Sequence, residues 1–175
     1  MGGDRYQWCA SPRNDKRILG IVLCYCGSGT HFDQCCNKYL SGESAAPSAE
    51  ALMRSRFSAF CLQNADYLLA TLHLDKRAKE SKKALLRSFG STEWRSLKVI
   101  RSQQGKDGQQ QGEVEFAAFY IDGDTSGQLH ERSRFLFEDG QWFYVDGDML
   151  PPISLARNET CWCGSGRKIK KCHPE

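Results

Sequence analysis

Two stretches of this sequence carry residue types at spacings that can do chemistry, and they are one stretch written twice. Cys24-Tyr25-Cys26-Gly27-Ser28-Gly29 runs on to Cys35-Cys36, and Cys161-Trp162-Cys163-Gly164-Ser165-Gly166 runs on to Cys172-His173. Each has an aromatic between its first two cysteines and eight residues between its inner cysteines, and six of thirteen positions are identical. A repeat this close implies one physical job done twice.

That job is metal binding. A disulfide inside Cys24-Tyr25-Cys26, or between the neighbours Cys35 and Cys36, would close a ring too small for ordinary bridge geometry. A tetrahedral ion instead requires several thiolates side by side. Zinc takes four cysteines, or three and a histidine, at about 2.3 Å to sulfur and about 2.0–2.1 Å to nitrogen. Cys24, Cys26, Cys35 and Cys36 form one ligand set; Cys161, Cys163, Cys172 and His173 form the other. Glycines after each pair let the backbone curl back and aim N–H groups at the sulfurs. Four protein ligands close the coordination sphere, so the expectation is up to two structural zinc ions and no catalytic residue. Reactive or oxidised thiols without metal are the alternative, and an iron–sulfur cluster suits these tight loops less well.

Composition sets the surroundings. A chain of 175 residues holds one core with small appendages. With 40% hydrophobic and 26% charged residues it is neither a disordered nor a membrane sequence. The longest apolar run, residues 18–23, is far short of a span, and the first seventeen residues are mostly polar; together these predict a cytoplasmic protein without membrane insertion. Seven of nine cysteines lie in the two motifs, which in a reducing compartment reads as metal ligation. Cys9 reads as a bystander thiol and Cys61 as a small buried hydrophobe. The net charge of +3 is too small to announce nucleic acid. Its placement says more: residues 153–175 hold five positive and two negative groups. Arg167, Lys168, Lys170 and Lys171 fall between metal ligands on a knob that also carries Trp162. Such a surface suits an acidic protein, and phosphate backbones less strongly. The alternative is a solvated face that offsets an anionic metal site.

The elements between the motifs must carry these knobs. Residues 41–47 read as a linker, and Ser48 caps a helix from Ala49 with Leu52, Phe57 and Phe60 on its core face. Asn64 caps a second helix bearing Tyr67, Leu68 and Leu72. A third, rich in Lys and Arg, begins at Asp75, buries Leu85 and Leu86, and stops near Gly90. The period then changes to two, predicting strands over 94–101, 113–122, 129–138 and 141–146, with a loop at 103–112 and a hairpin signal at Asp139-Gly140. Pro151-Pro152 mark the exit. Helices followed by a four-strand meander make an α+β domain, helices packed on one face of an antiparallel sheet. The expected organisation is an extension (1–20), a first zinc motif (21–40), an α+β domain (48–152) and a second zinc motif (156–175).

Both motifs resemble the SEC-C motif found at the C-terminus of the translocation ATPase SecA. The second, CWCGSGRKIKKCH, matches it closely; the first, CYCGSGTHFDQCC, keeps the ligands but lacks the basic residues between them. No phosphate-binding loop accompanies them, so no ATPase is expected. The middle, through Leu52–Phe57, Ala65–Leu68, Thr92–Trp94, Glu131–Phe135 and Gly140–Gly147, resembles the bacterial YchJ family. That resemblance implies a nuclear-transport-factor-two-like (cystatin-like) cone flanked by SEC-C motifs. The SEC-C resemblance implies an acidic chaperone or the ribosome as partner of the basic knob, and the cone-domain resemblance a homodimer through the open sheet face.

Cone-shaped domains of this type often enclose a pocket. The polar candidates here are Arg54, Arg56, Tyr67, His130, Glu131, Arg132, Arg134, Tyr144 and Asp146. On a strand Glu131 and Ser133 point one way, and His130, Arg132 and Arg134 the other. If the arginine face lines the cone, the pair could hold an anionic ligand; otherwise these are ion pairs tying elements together, which is the favoured reading. Two functions follow: a zinc-dependent interaction adaptor, or a small-ligand binder or enzyme whose zinc knobs are only staples.

Overall fold

The computed structural model describes residues 17–18, 21–105, 108–163 and 165–172. Most of the expected N-terminal extension, Cys9 and His173 lie outside them. Two short strands, β1 (Arg17–Ile18) and β2 (Ile21–Val22), lead into the first cysteine motif, which ends in a one-turn helix, α1 (Asn37–Leu40). Ser48 then opens α2 (Ala49–Cys61): its backbone is extended and its Oγ accepts from the Ala51 N–H at 3.1 Å. Asn64 does the same for α3 (Ala65–Ala70), accepting from the Tyr67 N–H at 3.0 Å. Caps of this kind are worth about 1 kcal/mol each.

The third helix expected from the sequence is two. A single turn, α4 (Leu74–Arg77), is followed after four residues by α5 (Lys82–Phe89), restarted by Ser81 as a new cap. The cap chemistry of Ser81 wins over the continuous charge pattern. Leu86, expected to be buried, is 48% exposed; Phe89 and Leu85 make the contacts instead.

The sheet is a meander of β3 (Thr92–Gln104), β4 (Gln111–Asp122), β5 (Thr125–Glu138) and β6 (Gln141–Met149). All pairs are antiparallel, and each strand is longer than its hydrophobic alternation predicts. Pairing of Gln104 with Gly112 shrinks the expected loop, and the Asp122–Thr125 pair leaves only Gly123-Asp124 as a turn. Asp139 and Gly140 both take positive φ, the type I′ geometry that matches strand twist.

One face of the sheet carries the core. Leu52, Met53 and Phe57 of α2 pack against Val114, Phe116, Ala118, Phe135 and Trp142. The cone is thus filled by side chains; full burial of each large apolar group contributes about 1.5–3 kcal/mol. Phe116, Ala117, Ala118 and Phe119 are buried consecutively, breaking the alternation of an open sheet. Both faces are covered there, the outer one by the chain's own C-terminal segment. The Leu150 N–H donates to the His130 carbonyl at 2.8 Å, and Gln128 pairs with both backbone groups of Ile153. The outer sheet surface is therefore covered within the chain at Ala117 and Phe119. No helix among the described residues is long and apolar enough to cross a membrane.

Candidate metal centres

The sequence repeat is a backbone repeat. In the first copy the Cys24 N–H donates to the Thr30 carbonyl, Phe32 to Val22 and Gln34 to His31. In the second, at identical offsets, Cys161 donates to Arg167, Ile169 to Glu159 and Lys171 to Lys168. Isolated bridges Leu23–His31 and Thr160–Lys168 repeat the same way. The chain doubles back through glycine: Gly29 and its counterpart Gly166 sit at φ of +76° and +71°. The last cysteine of the second copy ends a one-turn helix, α6 (Ile169–Cys172).

These turns gather the sulfurs. The Sγ atoms of Cys24, Cys26, Cys35 and Cys36 all lie within 4.8 Å of one another, as do those of Cys161, Cys163 and Cys172. Cys26 and Cys35 are 3.7 Å apart, Cys35 and Cys36 4.0 Å, and Cys163 and Cys172 3.4 Å. Sulfurs about 2.3 Å from one ion stand about 3.8 Å apart at the corners of a tetrahedron. The first cluster fits that figure with four donors, and no pair is near the ~2.05 Å of a disulfide. The second supplies three; the expected fourth, His173, lies outside the described residues.

Crowding has an electrostatic cost that a cation removes. Hydrogen bonds from Cys24 and Cys36 hold the Cys26 thiol well below its ordinary value. Burial, with Cys26 beside it, pushes Cys35 up to about 11, and bonds to Cys24 and Cys26 raise Cys36 further. In the second cluster burial pushes Cys161 up to about 12. Without a metal one thiolate forms at the expense of its neighbours; a dication lets all ionise together. The donor set therefore fits a metal ion held by thiolates, zinc among them.

Two serines complete the shell, and the sequence signalled them without their role being read. Ser28 Oγ lies 3.3 Å from Cys35 Sγ and Ser165 Oγ 3.2 Å from Cys172 Sγ, the same position in both copies. Each Oγ also accepts a backbone N–H two residues on, from Thr30 and Arg167. The glycines beside them drew attention, yet the repeated Ser is what touches sulfur. Ser58 Oγ, 3.9 Å from Cys24 Sγ, carries no such signal, because only packing of α2 brings it there.

The knobs dock on opposite faces of β3. Leu97 packs against the first cluster, and Arg54 of α2 donates to the Cys26 carbonyl at 3.3 Å. On the outer face Ser96 Oγ donates to the Trp162 carbonyl at 2.6 Å, and Lys98 pairs with Glu159 at 2.9 Å. The Trp162 ring, singled out as a partner contact, stacks on Phe119 with centroids 6.3 Å apart. Arg167, Lys168, Lys170 and Lys171 are exposed, and Arg167 Nη2 lies 3.7 Å from Cys172 Sγ.

The polar candidates of the cone divide by strand parity. Glu131 points inward and accepts from Ser133 Oγ at 2.5 Å and Tyr144 OH at 3.0 Å. Gly147 faces it so closely that a Cβ there would overlap Glu131 Oε1. Arg56 stands 4.8 Å over the Tyr144 ring and donates to the Leu68 carbonyl and Thr71 Oγ1, both at 2.7 Å. Tyr67 OH lies 2.7 Å from Ser55 Oγ. Burial pushes Arg56 down to about 10, against the pull of Tyr144, Tyr67 and Glu131, and burial together with Glu131 pushes Tyr144 up. Arg132 and Arg134 are on the outer face, away from the cone. Arg132 pairs with Glu115, and Arg134 with Asp146 and Asp148, while Arg54 pairs with Glu50. The two arginines are thus engaged by acids of their own sheet.

Residues 48–147 match the family described as YchJ, middle NTF2-like domain, and residues 157–173 match the SEC-C motif. The chain belongs to the YchJ family. It is 46% identical over 152 residues to a UPF0225 protein of Serratia proteamaculans, covering 86% of this chain and 96% of that one. The UPF0225 protein YchJ of Shigella dysenteriae is 46% identical over 150 residues with the same coverage. Two solved structures share the fold. A SEC-C motif containing protein from Rhodopseudomonas palustris has a TM-score of 0.68 at 32% identity, covering 74% of this chain and 99% of that one. Another, from Psychrobacter arcticus, has 0.64 at 27%, covering 89% and 97%.

Proposed function

We propose that this chain is a zinc-binding, non-catalytic interaction adaptor of the cytoplasm, whose C-terminal knob presents a basic surface to an acidic protein, a chaperone or a ribosomal protein. The observation that carries the reading is the display of Arg167, Lys168, Lys170 and Lys171. All four are exposed on a knob that docks on the sheet, and among the described residues Lys168, Lys170 and Lys171 form no ion pair. Clustered cations on a folded knob attract an acidic surface and set its orientation. The first knob lacks these cations and serves as a staple. Zinc suits both sites because thiolates in a closed shell favour it and leave no open position for chemistry. The filled cone supports a non-catalytic role: Arg56, Tyr67, Glu131 and Tyr144 are bonded to neighbouring protein groups.

Affinity capture from a bacterial lysate tests this, using intact protein, a Cys163→Ser/Cys172→Ser variant and a Lys168→Glu/Lys170→Glu/Lys171→Glu variant, with zinc measured in each. Acidic chaperone or ribosomal proteins should be recovered by the intact form alone, although the charge variant keeps its zinc. The same catch from all three forms would reject the adaptor.

A further inference from the structure

The two centres are alike in backbone and unlike in how the body holds them. The N-terminal cluster belongs to the packing of the domain. Cys24, Cys26 and Cys36 are 1%, 0% and 1% exposed. Leu97 of β3 and Leu40 of α1 pack on them, and Leu40 also joins the helical cluster around Ala59, Leu68 and Phe89. Ser58 and Arg54 of α2 reach the Cys24 sulfur and the Cys26 carbonyl. Opening this site disturbs the helix that closes the main core.

The C-terminal cluster brings its own cover. The apolar groups packed on Cys161, Cys163 and Cys172 among the described residues are Trp162 and Ile169, both from the same knob. Among the described residues its hold on the sheet, where the knob itself docks, includes the Trp162–Phe119 stack, one hydrogen bond from Ser96 and a Lys98–Glu159 pair whose side chains are 43% and 41% exposed. Exposed pairs of that kind contribute little. None of these contacts involves α2 or the core residues that it packs against.

Metal affinity in such loops is inseparable from the folding free energy of the segment that binds. Local opening free energies run from near zero to the global value. The N-terminal site takes the global value, because its ligands are packed with the core, whereas the C-terminal site takes a local one. Building on the zinc reading above, we infer that the N-terminal centre is a fixed keystone and the C-terminal centre an exchangeable one, so that zinc occupancy switches the basic surface on and off with the body folded.

The test follows zinc release from the full chain into excess EDTA, with backbone amide signals recorded in parallel. One equivalent should leave at least ~10-fold faster than the other, as expected for local against global opening. During that phase the signals of Ser96, Lys98 and Phe119 shift while those of Ser58 and Leu52 in α2 hold, and added zinc reverses the change. Cys163→Ser/Cys172→Ser should abolish the fast phase and keep the slow one. Release of two equivalents in a single phase, or a fast phase that moves Ser58, overturns the inference and leaves zinc binding standing. A full chain that takes up no zinc by elemental analysis overturns both.

Discussion

Arg134 spans two acids on the neighbouring strand: Nε donates to Asp146 at 2.6 Å, and Nη1 and Nη2 reach Asp148 at 2.6 and 3.3 Å. These bonds, Arg134 first, hold the Asp148 carboxyl below the usual carboxylate range. A folded value below the unfolded one means stabilisation that is present above the ordinary pKa of about 3.9 and fades as pH falls through the depressed value. Arg134→Met should return Asp148 toward 3.9 in an NMR titration, and the stability difference between variant and wild type should shrink as the solution is acidified. A difference that grows on acidification would contradict this origin. The same scale decides what a one-methyl change does inside the cone, where Gly147 leaves room for the Glu131 carboxylate that Tyr144 and Ser133 address.

Among the elements, the outer face of the sheet and the segment laid across it determine where the basic knob sits. Phe119 is 5% exposed, with the Trp162 ring stacked on it. Phe119→Ala should cost about 1 kcal/mol in urea unfolding, below the usual figure for truncating a buried aromatic because its cover is the knob and not the core, and undock the knob without loss of metal. Zinc content unchanged in that variant would place knob folding with its ligands; a drop would place it with docking. His130 secures the same segment, with Nδ1 2.6 Å from the Pro151 carbonyl and Nε2 3.2 Å from Glu115.

At the scale of the whole molecule, β3 carries a cysteine knob on each face. Leu97 looks toward the N-terminal centre, and its neighbours Ser96 and Lys98 toward the C-terminal one. Thermal stability should therefore respond unequally to the two sites. At roughly 2–4 °C per kcal/mol for a chain this size, Cys36→Ser should lower the melting temperature by about 10 °C. Cys172→Ser should lower it by less than about 4 °C, as scanning calorimetry would show; equal shifts would mean that both knobs are equally bound into the body.

The two cysteine clusters were legible in the sequence alone, since proximity of thiols along the chain is local and a tight turn leaves few other arrangements. The sequence determined the order of helices and strands for the same reason: period and caps such as Ser48, Asn64 and Asp139-Gly140 act within a few residues. It could not decide that Ser81 would restart a helix rather than continue one, because the charge pattern runs unbroken through it. Strand parity separated Glu131 from Arg132 and Arg134, but which side faced the cone waited on where α2 lay. Ser58 beside Cys24, Trp162 on Phe119 and the two knobs astride β3 are contacts between residues at least 34 positions apart. No local rule encodes them; they exist because the body buries one knob with its core and leaves the other to rest on its surface.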